Sequence, residues 1–193
     1  MCWRESPWGG ETLREHFEAI NHREAIYFTE GLVQEKAPLT EGVIRSIQGF
    51  ILKNIDDLHA GVYRKANVFI VGAEHRPPEA WRAEGEMHDF IHWYRHQEEG
   101  LHSLERAARV HADFVKIHPF VDGNGRTSRL LMNFELMKSG FPPAILPVEK
   151  RLEYYETLDR AHTKGEYAPF LLLIAKMVEE GFEPYWYALE VRT

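Results

Sequence analysis

The chain has 193 residues, 44% of them apolar and 27% charged, and a formal net charge of −7. That composition supports one globular domain with an adequate core and argues against nonspecific nucleic-acid binding, which needs a basic surface. A single cysteine, Cys2, excludes an internal disulfide framework, and no apolar run approaches the ~18 residues of a membrane span. The N-terminus lacks a signal-peptide core, so a cytoplasmic protein is expected, with export by a route lacking a cleaved signal left open. Residues 1–10, with Trp3 and Trp8, read as a leader of unknown role, and residues 11–193 as one catalytic domain.

Leu13, Phe17 and Ile20 open an amphipathic helix that reaches Leu32. Pro38-Leu39-Thr40-Glu41 reads as a loop and N-cap, followed by a helix carrying Val43, Ile47 and Ile51. Val68-Phe69-Ile70-Val71 is a run of β-prone residues with Gly72 as a turn signal; alone it is equally a buried strand or one arm of a hairpin. Met87, Phe90, Ile91 and Tyr94 mark the next helix. On it His88, His92 and His96 recur every four residues, away from the apolar stripe. That spacing can bind a transition metal, but with no further ligand set nearby a solvated face explains it better.

Leu104, Ala108, His111, Val115 and His118 form a buried helical stripe, with Ser103 placed to cap its start. Pro119 disfavours helix at the residue before it, so the helix ends near His118 and leaves that imidazole at a boundary. Asp122-Gly123-Asn124-Gly125 is a tight turn, and a second helix begins near Asn124, carrying Leu130, Phe134 and Met137 and stopping at Gly140. Phe141-Pro142-Pro143 breaks the chain, and two more helices follow around residues 150–163 and 169–180. In the first of these, Leu152, Tyr155 and Leu158 share a face and read as core.

Residues 118–129, His-Pro-Phe-Val-Asp-Gly-Asn-Gly-Arg-Thr-Ser-Arg, carry the chemistry. Histidine is the natural general base near neutral pH. The glycines let a ligand approach the main chain at the start of a helix, where free N–H groups and the helix dipole attract anions. Arg126 and Arg129 share a face of that helix's first turns, where positive charge opposes the dipole. Selection for stability alone would favour acids there; a polyphosphate bound between the arginines explains them, since guanidinium donates two parallel hydrogen bonds to phosphate. Asp122 supplies the hard oxygen ligand that Mg²⁺ needs when it bridges phosphates. An ordinary helix–turn–helix corner would explain the Gly-Asn-Gly turn alone, but not the whole constellation.

These residues match every fixed position of His-x-Phe-x-(Asp/Glu)-Gly-Asn-Gly-Arg-x-x-Arg, and on them the chain resembles the Fic family. The likeness runs more broadly from about Leu13 to about Phe182. It implies an all-α, Fic-type helical bundle with a short β-hairpin flap, formed here by Val68, Phe69, Ile70, Val71 and Gly72 after the lead-in Tyr63-Arg64. It implies a protein adenylyltransferase that moves AMP from Mg-ATP to a Tyr, Thr or Ser hydroxyl of a target protein. His118 is then the base and Asp122 the Mg²⁺ ligand. Gly123, Asn124 and Gly125 cradle the α- and β-phosphates, Arg126 takes the β-phosphate region, and Arg129 the γ-phosphate. Phe120 anchors the loop, and Tyr154 and Tyr155 stand where relatives line the base site. The flap clamps the target edge-to-edge. Because both glycines are kept, the sequence resembles the AMP-transferring branch; γ-phosphoryl transfer and a silent nucleotide-binding module are the alternatives.

Many members restrain themselves with a segment (Ser/Thr)-x-x-x-Glu-(Gly/Asn), whose glutamate pairs with the second motif arginine. Each Glu-Gly here (Glu30, Glu41, Glu84, Glu99 and Glu180) lacks Ser or Thr four residues earlier, and Glu-Asn does not occur. Built-in inhibition is therefore not expected, and a separate inhibitory protein is a candidate partner. The missing glutamate also argues against AMP removal. Target identity and oligomeric state are not encoded in any motif.

Overall fold

Thr12 opens the first helix with a reciprocal cap: its hydroxyl accepts from the Glu15 N–H, and the Glu15 carboxylate accepts from the Thr12 N–H. The computed structural model describes residues 12–96 and 100–189, so the leader and Glu99 lie outside the described residues. Among the described residues eight α-helices follow one another: α1 (Leu13–Gln34), α2 (Glu41–Leu52), α3 (Ala83–His96), α4 (Ser103–Ile117), α5 (Asn124–Lys138), α6 (Arg151–Lys164), α7 (Ala168–Gly181) and α8 (Glu183–Ala188). Short 3₁₀ turns at Ala80–Arg82 and Val148–Lys150 lead into α3 and α6. Thr40 caps α2 as its position suggests, accepting from the Val43 N–H at 3.2 Å. α4 starts differently from expectation: His102, not Ser103, is the N-cap, its imidazole accepting from the Leu104 N–H at 3.3 Å.

α4 is the centre. It packs along α5 and also touches α3, α6 and α7, while α1 and α2 cover the other side of α5. Phe114 on α4, Phe134 on α5, Phe170 on α7 and Phe120 in the α4–α5 turn are all fully buried, so one apolar core runs through the bundle. Each buried aromatic ring contributes several kcal/mol; truncation to alanine costs about 3–5 kcal/mol at such positions. Asn21 of α1, itself buried, donates to the Ile51 and Lys53 carbonyls, satisfying the end of α2 and fixing α1 against it.

The β-hairpin does not form. Among the described residues there is no β-strand, and residues 67–78 are an irregular loop. Its only backbone bond across a turn is Ala73 N–H to the Ile70 carbonyl at 3.3 Å, around Val71-Gly72 with Gly72 at φ 83°. Other backbone groups of the segment and just ahead of it bond to side chains from elsewhere in the fold. Asp159 accepts from the Glu74 and His75 N–H groups, and Arg64 donates to the Ala66 and Pro78 carbonyls. Pro77-Pro78 supplies no N–H for a ladder. The apolar run faces solvent at its tip, with Val71 100% and Phe69 71% exposed.

Candidate active site

α4 ends where Pro119 requires it to. His118 is its C-cap, in the left-handed region at φ 52°, ψ 57°, and its N–H still bonds back to the Phe114 carbonyl at 3.1 Å. A non-glycine residue there is uncommon and is held by its surroundings. Arg64 does the holding. Only 2% exposed, it donates through Nε to the His118 carbonyl at 2.8 Å, while its backbone N–H reaches the Pro119 carbonyl at 2.9 Å. The His118 Nδ1 faces the Val115 carbonyl at 3.3 Å. A carbonyl only accepts, so Nδ1 carries the hydrogen and Nε2 keeps its lone pair. Burial, with Arg64 and His75 adding positive charge nearby, lowers the imidazole to about 4. At neutral pH the ring is an unprotonated acceptor.

The turn after it is locked by Asn124. Its side chain accepts from the Phe120 N–H at 3.0 Å and donates to the Phe120 carbonyl at 2.8 Å. That side chain is buried and spent on the loop, so only its backbone N–H remains for a ligand. Gly123 is the N-cap of α5 at φ 82° with no side-chain cap, which leaves the first N–H groups of the helix free. A Cβ at Gly123 would lie 3.2 Å from Ile51 Cγ2, and one at Gly125 would lie 3.6 Å from Arg129 Nη1. Gln48, fully buried on α2, donates to the Asp122 carbonyl at 3.0 Å and accepts from the Gly61 N–H.

Asp122 has a side chain 47% exposed. Its Oδ1 accepts from the Gly123 N–H, and Oδ2 pairs with Arg14 of α1 at 3.1 Å. Arg126 lies 3.7 Å from Asp122 and 3.9 Å from Glu18. Arg129 lies on the wall of a cavity of about 630 Å³, shared with His22, Ile26, Asn133, Tyr154 and Tyr155. That size suits a nucleotide-sized ligand. Burial first, then the charges of Arg129 and Arg126, lower the His22 pKa, so both arginines direct their field to one place. His118, Asp122, Gly123, Gly125, Arg126 and Arg129 therefore meet at the α4–α5 corner.

The core face expected of α6 changes. Leu152 is exposed and Tyr155 49% exposed at the cavity, whereas Tyr154, Leu158 and Ala161 face inward. The core face of α6 is thus rotated from the one expected, which frees Tyr155 for a ligand. Arg151 sits over its ring, 5.6 Å from the centroid. The loop Val68–Gly72 is not brought into hydrogen-bond contact with the corner; only Ala66 and Pro78, which flank it, are tied to the corner through Arg64. His88, His92 and His96 are exposed, and no metal-holding cluster occurs among the described residues. Sequence reasoning missed Arg64, Gln48 and Arg14. Gln48 leaves a trace as one polar residue amid Ile44, Ile47 and Ile51, and Arg64 appears only as part of the lead-in Tyr63-Arg64, without its role at His118.

The sequence profile of the Fic/DOC family matches residues 38–136. A protein adenylyltransferase Fic from Nematostella vectensis is 39% identical over 178 residues, covering 91% of this chain and 41% of that protein. The solved structure of Fic-1 from C. elegans superposes with a TM-score of 0.84 at 33% identity, covering 98% of this chain and 56% of that one. A Fic domain containing signaling protein from Bacteroides thetaiotaomicron does so with a TM-score of 0.80 at 26% identity, covering 89% of this chain and 72% of that one. The chain thus spans less than half the length of the Nematostella relative and just over half of the C. elegans chain.

Proposed function

This chain belongs to the Fic/DOC family, and from that premise we propose that it is a protein adenylyltransferase, moving AMP from Mg-ATP to a hydroxyl of a target protein. One observation carries the reading: an imidazole with a free Nε2 stands at the same corner as an uncapped helix N-terminus and two arginines. Transfer of this kind is mostly positioning and electrostatics, and the corner supplies both.

His118 Nε2 takes the proton of the Tyr, Thr or Ser hydroxyl as its oxygen attacks the α-phosphorus. The P–O bond to the β-phosphate breaks and pyrophosphate leaves. The α5 N–H groups at Asn124 and Gly125 receive the phosphate oxygens, Arg126 the β-phosphate and Arg129 the γ-phosphate. Tyr155 packs on the base. The residues fit Mg²⁺: Asp122 offers a half-exposed carboxylate, a hard oxygen donor, beside the free N–H groups that open α5. The metal would supply neutralisation of charge on the phosphates, and Asp122 would hold it.

The exposed tip Phe69–Val71 gives the target an apolar surface without a strand to extend. A separate inhibitory protein is the proposed source of restraint. No helix of the described residues is long and apolar enough to cross a membrane, and we assign the protein to the cytoplasm.

The test uses ATP labelled at the α- or the γ-phosphate, with Mg²⁺, a cell lysate, and either the wild-type chain or His118→Ala. Protein-bound α-label lost in the variant supports AMP transfer. Protein-bound γ-label alone makes the protein a kinase, and tight ATP binding with neither label leaves it a nucleotide-binding module.

A further inference from the structure

The loop of residues 67–78 has no ladder to hold it, yet its returning arm is anchored where the base sits. A helix leaves its last carbonyls without donors of its own. At the end of α4 those carbonyls find partners one by one. The His118 ring faces the Val115 carbonyl, and Arg64 donates to the His118 carbonyl. The Lys116 carbonyl lies 2.9 Å from Nε2 of His75, which comes from the loop. A carbonyl only accepts, so this nitrogen carries the hydrogen. His75 is therefore a side-chain cap on the helix that bears His118.

His75 is fixed in turn by α6. The two oxygens of Asp159 divide the main chain of the arm between them. Oδ2 accepts from the Glu74 N–H at 3.2 Å, and Oδ1 from the His75 N–H at 3.0 Å. Bonds to an ionised acceptor are stronger than neutral ones, so this is a firm tie. The His75 ring meets the His162 ring edge-on, with centroids 4.9 Å apart. His162 is buried, and its Nε2 donates to the Ala112 carbonyl at 2.8 Å. Ala112 and Lys116 are four apart on α4, so the two imidazoles hang side by side from one face of that helix. The chemistry assigned to the corner uses neither His75, Asp159 nor His162.

We propose that His75 and Asp159 are positioning residues that fix the target-facing loop to the end of α4, so that the exposed tip and the His118 base keep one relative placement. His75 sets the arm against α4, and Asp159 sets His75. Neither touches the reacting atoms. The role rests on the adenylyltransferase reading above, in which the tip meets the target.

The test takes the full chain through three measurements: amide hydrogen exchange across residues 67–78, equilibrium binding of Mg-ATP, and transfer of α-label from ATP to protein in a cell lysate. His75→Leu removes the donor to Lys116. It should speed exchange of the Glu74 amide and lower label transfer about fivefold each, the order of one neutral hydrogen bond, and leave ATP binding unchanged. His75→Gln, whose side-chain N–H reaches for the same carbonyl, should restore most of both. A Gln variant as impaired as the Leu variant overturns the proposal and leaves the ring as packing on His162. Asp159→Asn sets an amide N–H against one of the two main-chain donors; it should reproduce His75→Leu, and it carries the test should that variant fail to fold. Unchanged exchange overturns the anchoring. Faster exchange with full label transfer, or a loss of ATP affinity as large as the loss of transfer, overturns the role in placing the target. A wild-type chain that labels no protein fails the adenylyltransferase reading, and the role falls with it whatever the exchange rates are.

Discussion

The α4–α5 corner and the loop of residues 67–78 are both irregular backbone held by Arg64, yet they are built in opposite ways. The corner is closed from within: Asn124 bonds both backbone groups of Phe120, Gly123 caps α5, and Phe120 is fully buried beneath. The loop borrows its bonds from Arg64 and Asp159 and turns its apolar tip outward. A self-closed corner presents fixed donors to a small rigid ligand, while a loop pinned at its base and free at its tip suits a variable partner.

The comparison predicts where damage separates activity from stability. His118→Ala should cut protein labelling by about 10³-fold, within the usual range for a general base, with little change in melting temperature. A melting loss as large as the activity loss would mean the ring is structural. Arg64→Leu should hurt both regions together. It leaves the His118, Ala66 and Pro78 carbonyls without their donor, which costs about 3 kcal/mol in denaturant unfolding. Unchanged stability would show that the two regions are independently held. Gly123→Ala attacks the corner alone, through the left-handed backbone and the contact with Ile51, and should cost about 2 kcal/mol.

Acid should separate the regions as well. His118 and His162 are lowered to about 4 and His111 to about 3, all below their ordinary 6.5, chiefly by burial. The unfolded chain therefore binds more protons in that window. Their contribution is complete above 6.5 and is lost as pH falls through the folded values, so the melting temperature should drop between pH 7 and pH 4. Catalytic rate should follow a group near 4; a rate inflection near 6.5 would mean that His118 is not buried as described. The smallest effect is at the tip. Val71→Ser should change stability by less than about 0.5 kcal/mol, as exposed substitutions do, while lowering target labelling severalfold at unchanged ATP affinity. Equal loss of ATP affinity would tie the tip to the nucleotide and not to the target.

What could be read from the chain differs between the same two regions. The helices were legible because their apolar periodicity is local: α2 follows Val43, Ile47 and Ile51 from its Thr40 cap, and α4 stops at Ile117, leaving His118 as the cap before Pro119. Val68–Val71 reads as a strand by composition, but a strand needs a partner whose N–H groups are free, and Pro77-Pro78 offers none. Leu152 and Tyr155 read as core because spacing gives a face and not its direction; the position of α7 turned Tyr154 inward instead.

The sequence by itself determined the succession of helices, the boundary near His118, and the set of chemical groups at residues 118–129, because these follow from backbone sterics and near-neighbour spacing. Only the tertiary structure decided what holds them. Arg64 lies 54 residues from His118, and Gln48 lies 74 from Asp122. No periodicity links such pairs. Each is brought together by the packing of separate helices, where a buried donor must find an acceptor wherever the fold puts one.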